Sequence, residues 1–291
     1  MSSISRARLL TITFISAGII VLLAACAATG PPTGDPNTGL SLRYYLPANK
    51  PLNYHFSNTV NQYLEVMGQS MDTDLNTDYE IQVNSEGLKK NRHQLRVTIN
   101  DMKMDINSTQ GNFSPDVSAI SGKSFTMALS PVGREMALSG AESLTYKLGP
   151  AGDRSIASDF EGFFPDLSER PVKIGDTWTT WDTLHITDSA SDIRMIMNHQ
   201  HKLEGVETIN GRECVRIASQ ITGIMDGQGF QQGTPLEFSG NIQGADTWFF
   251  DYREGVFVKS ISESTTDANI DAGGMSIPLT LKIQAESSLR E

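Results

Sequence analysis

From Met67 to Val83 the chain alternates for seventeen positions. One set holds Met67, Met71, Leu75, Tyr79, Ile81 and Val83, with Gln69, Thr73 and Thr77 among them. The other holds Ser70, Asp72, Asp74, Asn76, Asp78, Glu80 and Gln82. A period of two puts one set on a buried face and the other in water. Strands usually run about five or six residues. A strand this long needs neighbours of similar length, and such strands belong to large, strongly curved antiparallel sheets or barrels.

The next run repeats the idea with one change of phase. Leu95, Val97 and Ile99 share one parity, while Met102, Met104 and Ile106 share the other. The switch at Asn100-Asp101 predicts a β-bulge. Asn84, Ser85, Glu86 and Gly87 predict the turn between the two strands. Later, Met195, Met197, His199, His201 and Leu203 alternate with Arg194, Asn198, Gln200 and Lys202. Asn210-Gly211 signals a tight hairpin, and Val215, Ile217 and Ile221 alternate beyond it. Trp248, Phe250 and Tyr252 precede a turn at Arg253-Glu254-Gly255, and Leu279, Leu281 and Ile283 share one face near the end.

Between these sets lies a different stretch. Ala141 to Leu148 reads as a short helix. Ser155 to Phe164 reads as a second, with Ile156, Phe160, Phe163 and Phe164 near one face and Pro165 as its stop. The expected fold class is therefore mainly β. Long curved antiparallel strands form one or two half-barrel or open-barrel sheets, with one or two short helices between the halves. The β-rich domain spans residues 43–291, in two packed halves of about 43–165 and 166–291.

The first 25 residues have the layout of a secretory signal: Arg6 and Arg8, an apolar stretch from Leu9 to about Leu22, then small residues. Leu23-Ala24-Ala25-Cys26 resembles the lipobox of bacterial lipoproteins. That resemblance implies cleavage before Cys26, a diacylglyceryl group on its thiol and an acylated amino terminus, and no other cofactor. Acyl chains hold a protein on a membrane through about 0.8 kcal/mol per buried methylene. Ala27 replaces the aspartate of an inner-membrane retention signal, which implies the outer membrane in a Gram-negative cell. Residues 26–42, rich in Pro, Gly and Thr, read as the lipidated cysteine followed by a flexible tether.

The chain carries 23 basic and 34 acidic residues, a net of −11, and loss of Arg6 and Arg8 with the leader takes this to −13. Such a surface disfavours nucleic acid and anionic headgroups as partners. With Cys26 lipidated, Cys214 has no disulfide partner and reads as a small core residue.

Two segments, Leu129 to Gly140 and Phe164 to Trp178, resemble an uncharacterised family of bacterial secreted lipoproteins. That family has no assigned activity, so the resemblance transfers no site. More loosely, the architecture is similar to the half-barrels of lipoprotein carriers, in which a curved sheet and small helices enclose an apolar groove.

Chemical motifs fall short. Gly122-Lys123-Ser124 resembles the end of a phosphate loop, but Val117 stands where its first glycine belongs. Asp72-Thr73-Asp74-Leu75-Asn76 resembles a calcium loop, but Thr77 and Val83 replace the required glycine and glutamate. His199 and His201, two apart on a strand, point the same way and form a candidate metal pair, with His185 or an acid as a further ligand; partly buried rings are the plainer reading. Methionine suits adaptable apolar surfaces, so Met67, Met71, Met102, Met104, Met195 and Met197, with Phe160 and Phe163, are candidate groove residues. Three functions follow, in order. The first is a non-enzymatic envelope protein holding a hydrophobic ligand in its sheet. The second is an assembly lipoprotein that binds another envelope protein. The third is a hydrolase or metal-dependent enzyme.

Overall fold

A computed structural model describes residues 31–148, 152–187, 191–231 and 233–290. The leader and Cys26 lie outside the described residues. Among the described residues sixteen strands follow in chain order: β1 (Thr33–Asp35), β2 (Gly39–Ser41), β3 (Leu52–Val66), β4 (Gln69–Lys89), β5 (Arg92–Ser108), β6 (Gly111–Phe113), β7 (Ser124–Leu129), β8 (Glu135–Ser139), β9 (Thr145–Lys147), β10 (Asp153–Ser155), β11 (Thr177–Thr187), β12 (Ser191–Ile209), β13 (Arg212–Gln231), β14 (Thr234–Asp251), β15 (Val256–Ala272) and β16 (Met275–Arg290).

Twelve of these make one open antiparallel sheet in the order β11-β12-β13-β14-β15-β16-β3-β4-β5-β7-β8, with β6 paired to β5. The two expected halves are thus one sheet. The last strand, β16, pairs with β3 from Leu279↔Leu64 to Arg290↔Asn53. At 21 residues, β4 is about 70 Å long.

The phase change at Asn100 is a bulge, because Glu80 pairs with Asp101 and Ile81 pairs with Ile99. The turn expected at 84–87 is displaced. Strand β4 runs on through Gly87 with a register shift, and the chain reverses at Lys90 and Asn91, both in the left-handed region. Asn210-Gly211 turns as expected, with both φ angles positive, which suits the twist of the flanking strands.

Both expected helices are corrected to single 3-10 turns, at Ala141–Ser143 and Ala157–Asp159. Gly162, at φ 79, and Pro165 break the second segment before a helix can extend. Its apolar residues are spaced to drop separately into the concave face of the sheet. Ile156, Phe160, Phe163, Phe164 and Leu167 are all buried there against Tyr54, Tyr79 and Phe257. This plug is tied in place by backbone hydrogen bonds. Leu167 N donates to Val132 O at 2.7 Å, and Leu40 and Val172 exchange bonds at 2.7 and 3.0 Å. The Tyr44 hydroxyl donates to Pro165 O at 2.9 Å.

The expected tether ends earlier than residue 42. β1 and β2 form a small hairpin, and Leu40 and Leu42 are buried in the main core. Two leucines in an otherwise polar, Gly-rich segment suffice to anchor it.

The sheet curls because small residues face inward where strands crowd. A Cβ on Gly240 would stand 2.6 Å from Ala268 Cβ and 2.8 Å from Asp267 O on the next strand, and one on Gly223 would stand 2.5 Å from Ile196 O. Only hydrogen fits there. The convex side is wet, with Asp74, Asp78 and Glu80 exposed, where a lipid-facing barrel presents an apolar band. Gly240→Val should cost about 1–3 kcal/mol of stability in urea unfolding. Gly205→Ala, with open space around it, should stay within about 0.5 kcal/mol. Equal effects from both would show that crowding does not set the curl.

Candidate functional site

Cross-strand register arranges the concave face in rows. One row runs Trp178, His201, Ser219, Asp246, Ser262, Ala285, Asn58, Thr77 and Met104 across nine strands. On the plug side of this largely polar belt, Leu203, Ile217, Trp248, Phe56, Tyr79 and Met102 belong to or pack on the main core. On the other side a second apolar group gathers Met195, Met225, Ile242, Ala268 and Leu279, with Leu64, Leu184, Phe238 and Leu281 half-buried around it.

There the plug ends, and the same inner face lines a cavity of about 1500 Å³. Val60, Leu75, Ile106, Leu184, Met197, Leu281 and Ile283 are among its walls, and Phe163 belongs to its floor. Phe113 and Phe230 stand in hairpins at the far end of the strands; Phe230 is 66% exposed.

The floor is charged. Glu135, Asp166, Asp182, Asp246 and His199 all border the cavity. His199 Nε2 lies 3.2 Å from Asp182 Oδ2, and its Nδ1 lies 3.8 Å from Asp246 Oδ2. Burial opposes its protonation, but Asp246, Asp182 and Asp166 outweigh burial and raise its pKa. Burial raises Asp182 as well. Glu135 is driven well above the carboxylate range by burial, although its Oε1 accepts a 2.7 Å bond from Phe164 N. Asp166 is pushed up to about 7, first by burial and then by the Asp182 carboxylate.

His201 behaves differently from its neighbour. Its Nε2 is 2.8 Å from Thr180 Oγ1 and its Nδ1 is 2.7 Å from Ser219 Oγ. Trp178 stacks on its ring at 5.1 Å. Burial pushes its pKa down to about 4. Both ring nitrogens are engaged, so His201 has no free lone pair for a metal shared with His199. His185 is exposed on the opposite face of β11 and cannot join them. Among the described residues no group of three or more His, Cys, Asp or Glu is placed to hold a metal ion.

No family model matches the chain, and no curated protein matches it. Among solved structures it is similar to an exported protein of Bacteroides fragilis with a YmcC-like fold, at 9% identity over 86% of this chain and 97% of that one, with a TM-score of 0.22. It is similar to an outer membrane lipoprotein-sorting protein domain from Vibrio parahaemolyticus at 10% identity, over 81% and 83% of the two chains, with a TM-score of 0.15. Pseudomonas aeruginosa OccD3 is matched at 6% identity over 90% and 95%, with a TM-score of 0.17. At these scores the likeness decides nothing about function, which has to be read from the chain's own cavity.

The expected groove residues divide. Met104, Met195, Met197 and Phe163 line the cavity. Met102 and Phe160 are buried in the main core beneath the floor. Met71 is half-buried beside Leu64 and outside the lining. Met67 is corrected outright: it lies in the β3–β4 turn at φ 51 and is 84% exposed. Its parity matches the buried face of β4, but β4 begins only at Gln69. Cys214 is fully buried and its thiol is pushed up to about 12 by burial, so it is a core residue and no nucleophile.

The floor acids went unnoticed in the sequence. Asp182 and Asp246 share parity with Leu184 and Trp248, and an acid on the apolar face of a strand is the signal that finds them.

The raised Asp166 has a consequence for stability. The folded chain keeps a proton that the unfolded chain releases at about pH 3.9. The resulting stabilisation is full below about pH 4 and is lost as pH rises through about 7. His201 acts with opposite sign, losing stability as pH falls from about 6.5 toward 4. In Asp166→Asn the decline in melting temperature between pH 5 and 8 should be shallower than in the wild type. Identical slopes would show that Asp166 does not titrate there.

Proposed function

We propose that this chain is a lipid-anchored, non-enzymatic protein of the bacterial envelope that holds an acyl chain or similar apolar ligand in the open half of its curved sheet. The observation that carries this reading is the continuity of the inner apolar face. The rows that form core beneath the plug continue past the belt as the walls of a cavity of about 1500 Å³. Ligand pockets commonly measure about 300–1,000 Å³, so this one has room for a long or branched apolar molecule. Ten methylenes buried there would contribute about 8 kcal/mol before ordering costs. Half-buried Met197 and Leu281 offer deformable and rigid apolar contacts on opposite sides of Ile242.

The leader and the Cys26 lipobox support an envelope address, and the net charge of −13 on the mature chain turns it away from nucleic acid. Against an enzyme stands the way His201 is tied up by Thr180 and Ser219. A second reading, docking of another envelope protein, has one observation in its favour. β11 is an edge of the sheet, and it carries Trp181, which is 69% exposed.

A fluorescent fatty acid titrated into the mature chain, with Cys26→Ser to keep it out of membranes, tests the reading. Saturable binding is expected, and Met197→Asp with Leu281→Asp should weaken it at least about tenfold, because each buries an unpaired charge in the wall. Ile224→Asp on the convex face should leave it unchanged. An absence of saturable binding, or equal losses from wall and convex variants, would overturn the carrier reading and favour protein docking at β11.

A further inference from the structure

The cavity wall contains a second, smaller polar feature, away from the acidic floor. β9 and β10 form a two-stranded hairpin in which Tyr146 and Arg154 are direct cross-strand partners. Both residues line the cavity, together with Leu138, Leu148 and Met104.

Tyr146 is only 4% exposed, and its hydroxyl has no hydrogen-bond partner among the described residues. Arg154 Nε is likewise buried and without a partner. Another nitrogen of the guanidinium is engaged: Nη2 donates to Asp159 Oδ1 at 3.2 Å. The other oxygen of Asp159 accepts from the Tyr79 hydroxyl at 2.6 Å. Asp159 therefore balances the charge of Arg154 and leaves its Nε–H directed elsewhere.

Buried polar groups in folded proteins nearly always have partners. Two unpaired buried donors on cross-strand residues that border a cavity are an exception with a common solution. A single acceptor oxygen would satisfy both, since a carbonyl or carboxylate oxygen accepts two hydrogen bonds. A free amine or alkane end offers nothing suitable. Leu138, Leu148 and Met104 share this lining with Glu142 and Asp159, and the apolar walls beyond them suit a molecule whose remainder is apolar.

We infer that Tyr146 and Arg154 bind the oxygen end of an acyl chain, its carboxyl or ester carbonyl, and so fix the orientation of the ligand in the cavity. This rests on the carrier reading above and adds the ligand's chemical class and direction. The carbonyl sits between the Tyr146 hydroxyl and Arg154 Nε, and the hydrocarbon runs toward Met195 and Leu281.

The test uses the full mature chain with Cys26→Ser and three probes of equal chain length: decanoic acid, methyl decanoate and decane, each displacing a bound fluorescent fatty acid. The wild type should bind at least one oxygen-bearing probe about tenfold or more tighter than decane. Tyr146→Phe removes one hydroxyl that has no partner in the folded chain, so its melting temperature should not fall. Its preference for the oxygen-bearing probe should drop about fivefold or more while decane is unaffected. The probe that loses more identifies the source, a free acid or an ester. Equal binding of all three probes to the wild type would overturn this inference and leave the carrier reading standing. So would a Tyr146→Phe variant that keeps the full preference. Failure of all three to bind would overturn both.

Discussion

Phe163 sits among five other aromatic rings, with centroids 5.2–6.1 Å away: Tyr54, Phe56, Phe160, Phe164 and Phe257. These rings belong to β3, to β15 and to the plug itself. Each aromatic pair contributes about 0.5–1.5 kcal/mol beyond its buried area. One side chain thus links two strands on either side of β16 to the segment that fills the curl. Where the plug reaches, the concave face is core. Where it stops, the same rows of side chains become the wall of a cavity.

The belt of polar residues at this boundary follows from that arrangement. A strand 20 residues long cannot be covered by a short irregular segment, so some level of every long strand passes from dry to wet. His201, Ser219 and Trp248 satisfy one another at that level, with Trp248 Nε1 donating to Ser219 Oγ at 3.3 Å. Asp166, Asp182 and Glu135 lie at the floor with their pKa values raised, chiefly by burial. They retain protons more readily than solvated carboxylates and lower the charge that the floor would otherwise carry. Small inward residues on β13, β14 and β15 provide the curl that brings distant strands to one cavity.

Much of this was legible in the sequence. Long alternation gave β4, β5, β12 and the final strands, because each has one wet and one dry face and a period of two leaves no second reading. The bulge at Asn100 followed from a parity switch, and the hairpin at Asn210-Gly211 from its demand for positive φ. The plug misled because Ile156, Phe160 and Phe163 have helical spacing, yet their burial comes from contacts with the sheet rather than from a helix face. Met67 differs because periodicity carries no mark of where a strand begins, and β4 starts at Gln69. The candidate site was less legible. Met195, Met197 and His199 could be placed on the inner face by parity, but Glu135, Asp166, Asp182 and Asp246 meet only through the fold. The pairing of Tyr146 with Arg154 depends on two strands of three residues each, too short to leave a pattern.

What joins these features is a single inner face, divided by a plug into a core and a cavity. A crystal structure of the mature chain grown with an omega-brominated fatty acid addresses that division most directly. Anomalous bromine signal among Met195, Phe238 and Leu281, with Phe163 still seated in the floor, is the predicted result. Bromine found only on the convex face, with the inner walls collapsed on one another, would contradict it.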